Sequence, residues 1–268
     1  MDPQAVADLL NALLCLAPFC LGVLGFIGVG VLMVWIIRRQ WRPLDENTLA
    51  AQRRQLQADL NKRVAGLRSW SPEALTDLST DWNAHWNRFA RTLNVWGTIP
   101  SVSAPKGPPW VAFKLKVRGA RQPEGLLAAR TTAQSFEYRL SQQGVSILVD
   151  GAPLGSVLPD GTLLGPDGAP IGSAPRPGGM PVMFRLGTLS HLRDNRPRSY
   201  PVTLGGRLIA HLSHPPAQLV NVIHLKKPQY PPAVTLVETP TQEEATWLLA
   251  LTILQVAGYN TLETAWTN

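Results

Sequence analysis

The stretch RDNRPRSY brings Arg193, Arg196 and Arg198 together within a few residues. Guanidinium groups grouped in a loop can clasp phosphate or carboxylate oxygens through charge-assisted hydrogen bonds. The other reading is a solvated basic loop. Histidine offers less. Of the five histidines, His85, His191, His211, His214 and His224, only the HLSH pair is close in sequence. A separation of three on a strand sends two side chains to opposite faces, so His211 and His214 would share a metal only across a turn. No HExxH, GxSxG, Walker A or dinucleotide fingerprint is present. Acids are scattered, apart from Asp45–Glu46 and Glu243–Glu244 near helix starts. These residues predict no enzyme, no cofactor and no metal. The candidate anion contact is Arg193, Arg196 and Arg198.

The elements that must position these residues are mostly strands. With 24 Pro and 22 Gly, the chain favours turns over an all-helical body. WVAFKLKV alternates Val111, Phe113, Leu115 and Val117 with Lys114 and Lys116, the period of a half-buried strand. SFEYRLS, GVSILVD, VMFRLG, YPVTL, GRLIAHLS, LVNVIHL and AVTLVE continue the pattern. Turn signals separate them, and the connections are too short for crossover helices, so the sheet is expected to be antiparallel. A near-repeat, DGAPLG, DGTLLG and DGAPIG, starts at Asp150, Asp160 and Asp167. Asp-Gly between apolar runs signals a hairpin. A calcium loop needs oxygen ligands at alternate positions, and each segment offers one Asp.

Residues 9–37 contain no charged side chain. That run exceeds the roughly 20 apolar residues a spanning helix needs. A cleaved signal peptide would need a basic start and a shorter apolar core. The predicted organisation is a short outer tail at 1–8, a transmembrane helix at 9–37, an amphipathic neck of two helices at 38–98 and a linker at 99–109. Arg38, Arg39 and Arg42 follow the span and no basic residue precedes it. The positive-inside rule then places the N-terminus outside the inner membrane and the rest in the cytoplasm. Gly22, Gly25 and Gly28 form a ridge of small residues where another helix can approach. In the neck, Leu49, Leu56, Leu60, Val64 and Leu67 share one stripe. The second expected helix aligns Leu75, Leu78, Trp82, Trp86, Phe89, Leu93 and Trp96. Trp82, Trp86 and Trp96 are its candidate partner-facing aromatics; packing on an adjacent element is the alternative.

Thr241 and Glu244 form a capping-box pattern ahead of ATWLLALTILQVAG. The apolar helix that follows, taken as 241–257 with a tail at 259–268, is too short to cross a bilayer. A helix apolar on every face must be buried. The expected fold is mainly β: a closed or nearly closed antiparallel barrel of about a dozen strands, residues 110–258, around that helix.

About a dozen strands ending in a hydrophobic helix resemble the tubby C-terminal-like group, which includes the LURP-one-related proteins and the phospholipid scramblases. The Asp-Gly hairpins with Gly155, Gly165 and Gly172, and the EEATWLLALTIL helix, carry the resemblance. It implies binding of lipid headgroups, membrane tethering or lipid scrambling, without a catalytic motif. The N-terminal position of the long apolar run departs from the scramblase arrangement. The overall expectation is a single-pass, non-enzymatic binding or scaffolding protein, with membrane lipid as its partner. The alternative is an accessory subunit of a larger membrane complex. The formal charge of +7 suits an anionic membrane face. Nucleic acid is not expected, because aromatics do not interleave with the basic residues.

Overall fold

The computed structural model describes residues 23, 25–35, 38, 46–81, 83–89, 92–118, 124–141, 143–175, 199–213 and 230–267, with the backbone alone at 86, 88, 89 and 259–267. The chain divides into two compact units, residues 1–44 and 45–268. In the first, residues 25–35 are helical and Phe26, Ile27, Leu32, Met33 and Trp35 are exposed. Among the described residues, no helix is long and apolar enough to cross a membrane. Most of the predicted span, including residues 9–22, lies outside them, as do Arg39 and Arg42.

The second unit is built on one antiparallel sheet in strict chain order. Its strands are β1 (Asn83–Phe89), β2 (Thr92–Ile99), β3 (Val111–Arg118), β4 (Glu124–Arg130), β5 (Ser135–Ser141), β6 (Gly144–Val149), β7 (Ala152–Val157), β8 (Thr162–Leu164), β9 (Pro170–Ser173), β10 (Ser199–Leu204), β11 (Arg207–Ser213) and β12 (Val234–Leu236). The sheet is not closed into a barrel, because β1 and β12 do not pair. Residues 78–80, just before β1, instead bond to the chain that follows β2 and to the chain that precedes β12. Ser79 N–H donates to Pro100 O, Thr80 N–H to Pro231 O, and Ala233 N–H to Leu78 O at 2.7 Å. Prolines at 231 and 232 offer no N–H to extend β12 backwards.

The expected second neck helix is absent. Residues 72–77 form a short 3₁₀ turn, and the chain then becomes the β1–β2 hairpin. The 3–4 spacing of its large residues coincides with a period-two pattern, in which Leu93, Val95 and Ile99 point inward and are buried. The first neck helix does form, as α1 (Glu46–Asn61). It is part of the same compact unit as the sheet, lying on the outer side of β3 and β4. Leu49, Leu56 and Leu60 are buried there. Charged contacts line the seam. Arg139 pairs with Glu46 at 3.0 Å, and Gln57 Nε2 donates to Glu137 Oε1 at 3.0 Å. Arg53 Nε lies 2.8 Å from Glu137 Oε2, near enough for an ion pair but off-line for a hydrogen bond.

The C-terminal apolar segment is the core of the unit. Helix α2 (Gln242–Thr267) runs further than the 241–257 expected, through most of the predicted tail. Ala245 and every described side chain from Trp247 to Ala257 are buried. Burying each large apolar side chain contributes roughly 1.5–3 kcal/mol. Strands from both halves of the ladder reach the helix. Tyr138 of β5 donates to Ala250 O at 2.9 Å, Tyr200 of β10 donates to Gln255 Oε1 at 2.9 Å, and Gly155 of β7 abuts Trp247. Its N-terminus carries the predicted capping box. Thr241 N–H donates to Glu244 Oε2 at 2.7 Å, and Glu244 N–H to Thr241 Oγ1 at 3.3 Å.

The Asp-Gly repeats are turns, as their composition predicts, but of two kinds. Asp150 and Gly151 both have positive φ, 51° and 82°, the signature of a two-residue I′ hairpin. The PDG turns at Asp160 and Asp167 share a wider loop. Gly161 N–H bonds Leu158 O and Gly168 N–H bonds Gly165 O, each at 3.0 Å.

Candidate functional site

The side chains that the sequence singled out do not form a site among the described residues. Arg193, Arg196 and Arg198 lie outside those residues, as do Trp82, His191, His214 and His224. Arg38 is helical and exposed in the first unit. Trp86 lies on β1 and Trp96 on β2, so they are not on one helix face. The ladder pairs Trp86 with Val95 and Trp96 with His85, positions of opposite parity. No cluster of three or more His, Cys, Asp or Glu occurs among the described residues.

What the fold does assemble is a basic groove where the end of α1 meets the outer face of β1–β3. Its volume is about 510 Å³. Asp59, Lys62 and Arg63 come from the last turn of α1 and the residues after it; Asn87, Asn94, Trp96 and Lys114 come from the strands. Strand alternation explains the second set. Inward positions 93, 95, 113, 115 and 117 feed the core, so 94, 96, 114 and 116 must face out. The register sets Asn87 against Asn94, Trp96 against Lys114, and Asn94 against Lys116. His85 lies beside Trp96, ring centroids 6.1 Å apart.

Lys114 Nζ is paired with Asp59 Oδ2. The hydrogen bond and charge of Lys114, followed by the charges of Lys62 and Arg63, hold the Asp59 carboxyl below its usual range. Lys116 has no carboxylate partner among the described residues. Partial burial, then the like charges of Lys114 and Arg118, push its ammonium below the ordinary lysine value. A cation held under like charges gains from an incoming anion, since the anion removes the repulsion. The asparagine pair offers neutral donors and acceptors beside it. The indole of Trp96 offers a flat apolar wall.

A second polar cluster holds the corner before β3. Asp77 accepts from Ser101 Oγ, from Ser103 N–H at 2.9 Å and from Trp110 Nε1–H at 2.8 Å. Burial alone would raise its carboxyl. The hydrogen bonds from Ser101, Ser103 and Trp110 outweigh that and hold it down at about 2. Arg68 stacks over Trp110, 4.8 Å from the ring centroid, and Trp70 meets the same ring edge-on. Each group here is committed to another, and the cluster acts as a fold pin.

The sequence reading missed the groove because it took residues 75–96 for a helix, which separates Trp96 and the asparagines from the lysines. The legible signal was the alternation of Lys114 and Lys116 against four apolar positions. No known protein family, curated protein or solved structure matches the chain.

Proposed function

We propose that this chain is a non-enzymatic binding module that takes a phosphate-bearing anionic ligand in the groove between α1 and β1–β3. The observation that carries the reading is the outward face of β3: Lys114 lines the groove with Lys62 and Arg63, and Lys116, two residues along and opposite Asn94, has no counter-ion among the described residues. The uncharged run at 9–37 and the basic residues after it favour a membrane-anchored protein, with the C-terminal unit cytoplasmic. An anionic lipid headgroup is then the ligand closest to hand. The order of many antiparallel strands followed by a buried helix supports kinship with tubby-like proteins. Arg193, Arg196 and Arg198 remain a second candidate anion contact.

The test uses the full chain in neutral detergent micelles. Dioctanoyl phosphatidic acid and glycerol 1-phosphate, both phosphomonoesters, are titrated by calorimetry. Saturable binding is expected, weakened about tenfold by Lys116→Gln and by Lys62→Gln, and falling steeply with salt. Tighter binding of the lipid than of the soluble phosphate identifies a headgroup site; equal binding identifies a free phosphorylated compound. Absence of saturable binding, or binding indifferent to both substitutions, overturns the proposal.

A second reading, an accessory subunit of a membrane complex, is favoured by the helical residues 25–35. Their apolar side chains are exposed, and a Cβ added at Gly25 or Gly28 would meet nothing within 4 Å. Extraction from native membranes that yields a fixed set of companions would favour it; a lone protein would remove it.

A further inference from the structure

The groove already contains an anion. Asp59 sits in the last turn of α1, where the helix dipole favours cations and disfavours a carboxylate. Helix stability does not account for its sign. What accounts for it is Lys114, reached across the groove from β3. Both members of the pair are partly open to solvent, the Lys114 side chain 25% and the Asp59 side chain 37% exposed. Ion pairs in such settings are weak and exchange readily. Among the described residues, Lys114 of the groove has a carboxylate on it, while Lys62 of the groove and Lys116, two residues along the same strand, have none.

We infer that Asp59 is a built-in competitor for the anionic ligand, and that a phosphate gains Lys114 only by displacing the Asp59 carboxylate. This inference rests on reading the groove as a phosphate site. Displacement needs only a rotamer change of one short side chain, since Asp59 is carried on a helix whose buried face is elsewhere, at Leu49, Leu56 and Leu60. A monoanion meets a groove whose charge is partly cancelled and binds poorly. A phosphomonoester dianion replaces the carboxylate charge in full and adds a second. The device therefore selects for multiply charged headgroups over singly charged ones.

The experiment is calorimetric titration of the full chain in neutral micelles, with dioctanoyl phosphatidic acid, dioctanoyl phosphatidylglycerol and inorganic phosphate as probes. Asp59→Asn is expected to tighten phosphatidylglycerol binding on the order of three- to tenfold. The gain for phosphatidic acid should be smaller, so that the preference between the two narrows. Lys114→Gln should cost more in the Asp59→Asn background than in the parent, because only there is Lys114 free for the ligand. Asp59→Ala provides a second variant with the same expected direction. If both Asp59 variants bind as the parent does or more weakly, while Lys116→Gln still impairs binding, the competitor role is overturned and the groove survives. If parent and variants alike bind none of the probes, both readings fall.

Discussion

The Tyr200 hydroxyl donates to Gln255 Oε1 at 2.9 Å inside the core, fixing the late part of α2 to β10. Gln255 is 2% exposed, and its Nε2 has no hydrogen-bond partner among the described residues. Tyr200→Phe leaves a buried amide oxygen without this donor. It is expected to cost about 1–3 kcal/mol in denaturant unfolding of the full chain. Tyr200→Phe combined with Gln255→Leu removes both polar groups and should recover most of that loss. A double variant no more stable than the single one would show that the pair is not the source.

Gly155 allows the sheet to come close to Trp247. Its φ is 147°, and an added Cβ would lie 2.0 Å from Leu164 O and 2.8 Å from Trp247 Cζ2. Gly155→Ala should therefore destabilise by about 2–4 kcal/mol. Gly151 shares a positive φ, at 82°, but its Cβ would meet nothing within 4 Å. Gly151→Ala should cost about 1 kcal/mol, from backbone strain alone. Thermal melts of the two variants side by side check the ordering.

Asp77 makes stability depend on acid pH. Its folded carboxyl titrates at about 2, below the ordinary value near 4. A depressed folded value contributes stability that is fully present above the unfolded value. That stability is lost as pH falls from about 4 through about 2. The contribution is on the order of 2 kcal/mol. Asp77→Asn should be less stable at neutral pH and should flatten the stability profile over that window. An unchanged profile would remove Asp77 as its origin.

Leu60 holds the end of α1 against the sheet and is 1% exposed. Leu60→Ala should cost about 2–4 kcal/mol. Asp59 and Lys62 flank this anchor in sequence. The same variant should therefore also weaken phosphate binding, although residue 60 does not line the groove. Full affinity in a destabilised Leu60→Ala protein would show that the groove forms without this anchor.

The reasons some elements were legible and others were not are physical. β3 and β5 alternate because one face is buried in the core and the other is mostly polar. β4 escaped notice because Leu126, Leu127, Ala128 and Ala129 are all buried. α1 covers its outer side, and a strand covered on both sides loses alternation. α2 was legible because thirteen residues, all but Gln255 apolar or small and too few for a bilayer, must be enclosed by protein. The β1–β2 hairpin was misread because its large residues fall at spacings that fit a helix as well as a strand. The groove was illegible for a further reason. It exists only where α1 lies across β3, and hydrophobic periodicity specifies that a helix docks without specifying where.

Strict chain order has a consequence for biosynthesis. Every strand neighbour on the ladder is also a neighbour in translation, so hairpins can zip in sequence as the polypeptide emerges. The hydrophobic rod they enclose is made after all of them. A nascent chain that has completed β12 thus presents an unfilled apolar trough while α2 is still inside the ribosomal tunnel. That interval is when this protein is most exposed to aggregation, and when a chaperone holding the concave side would matter most.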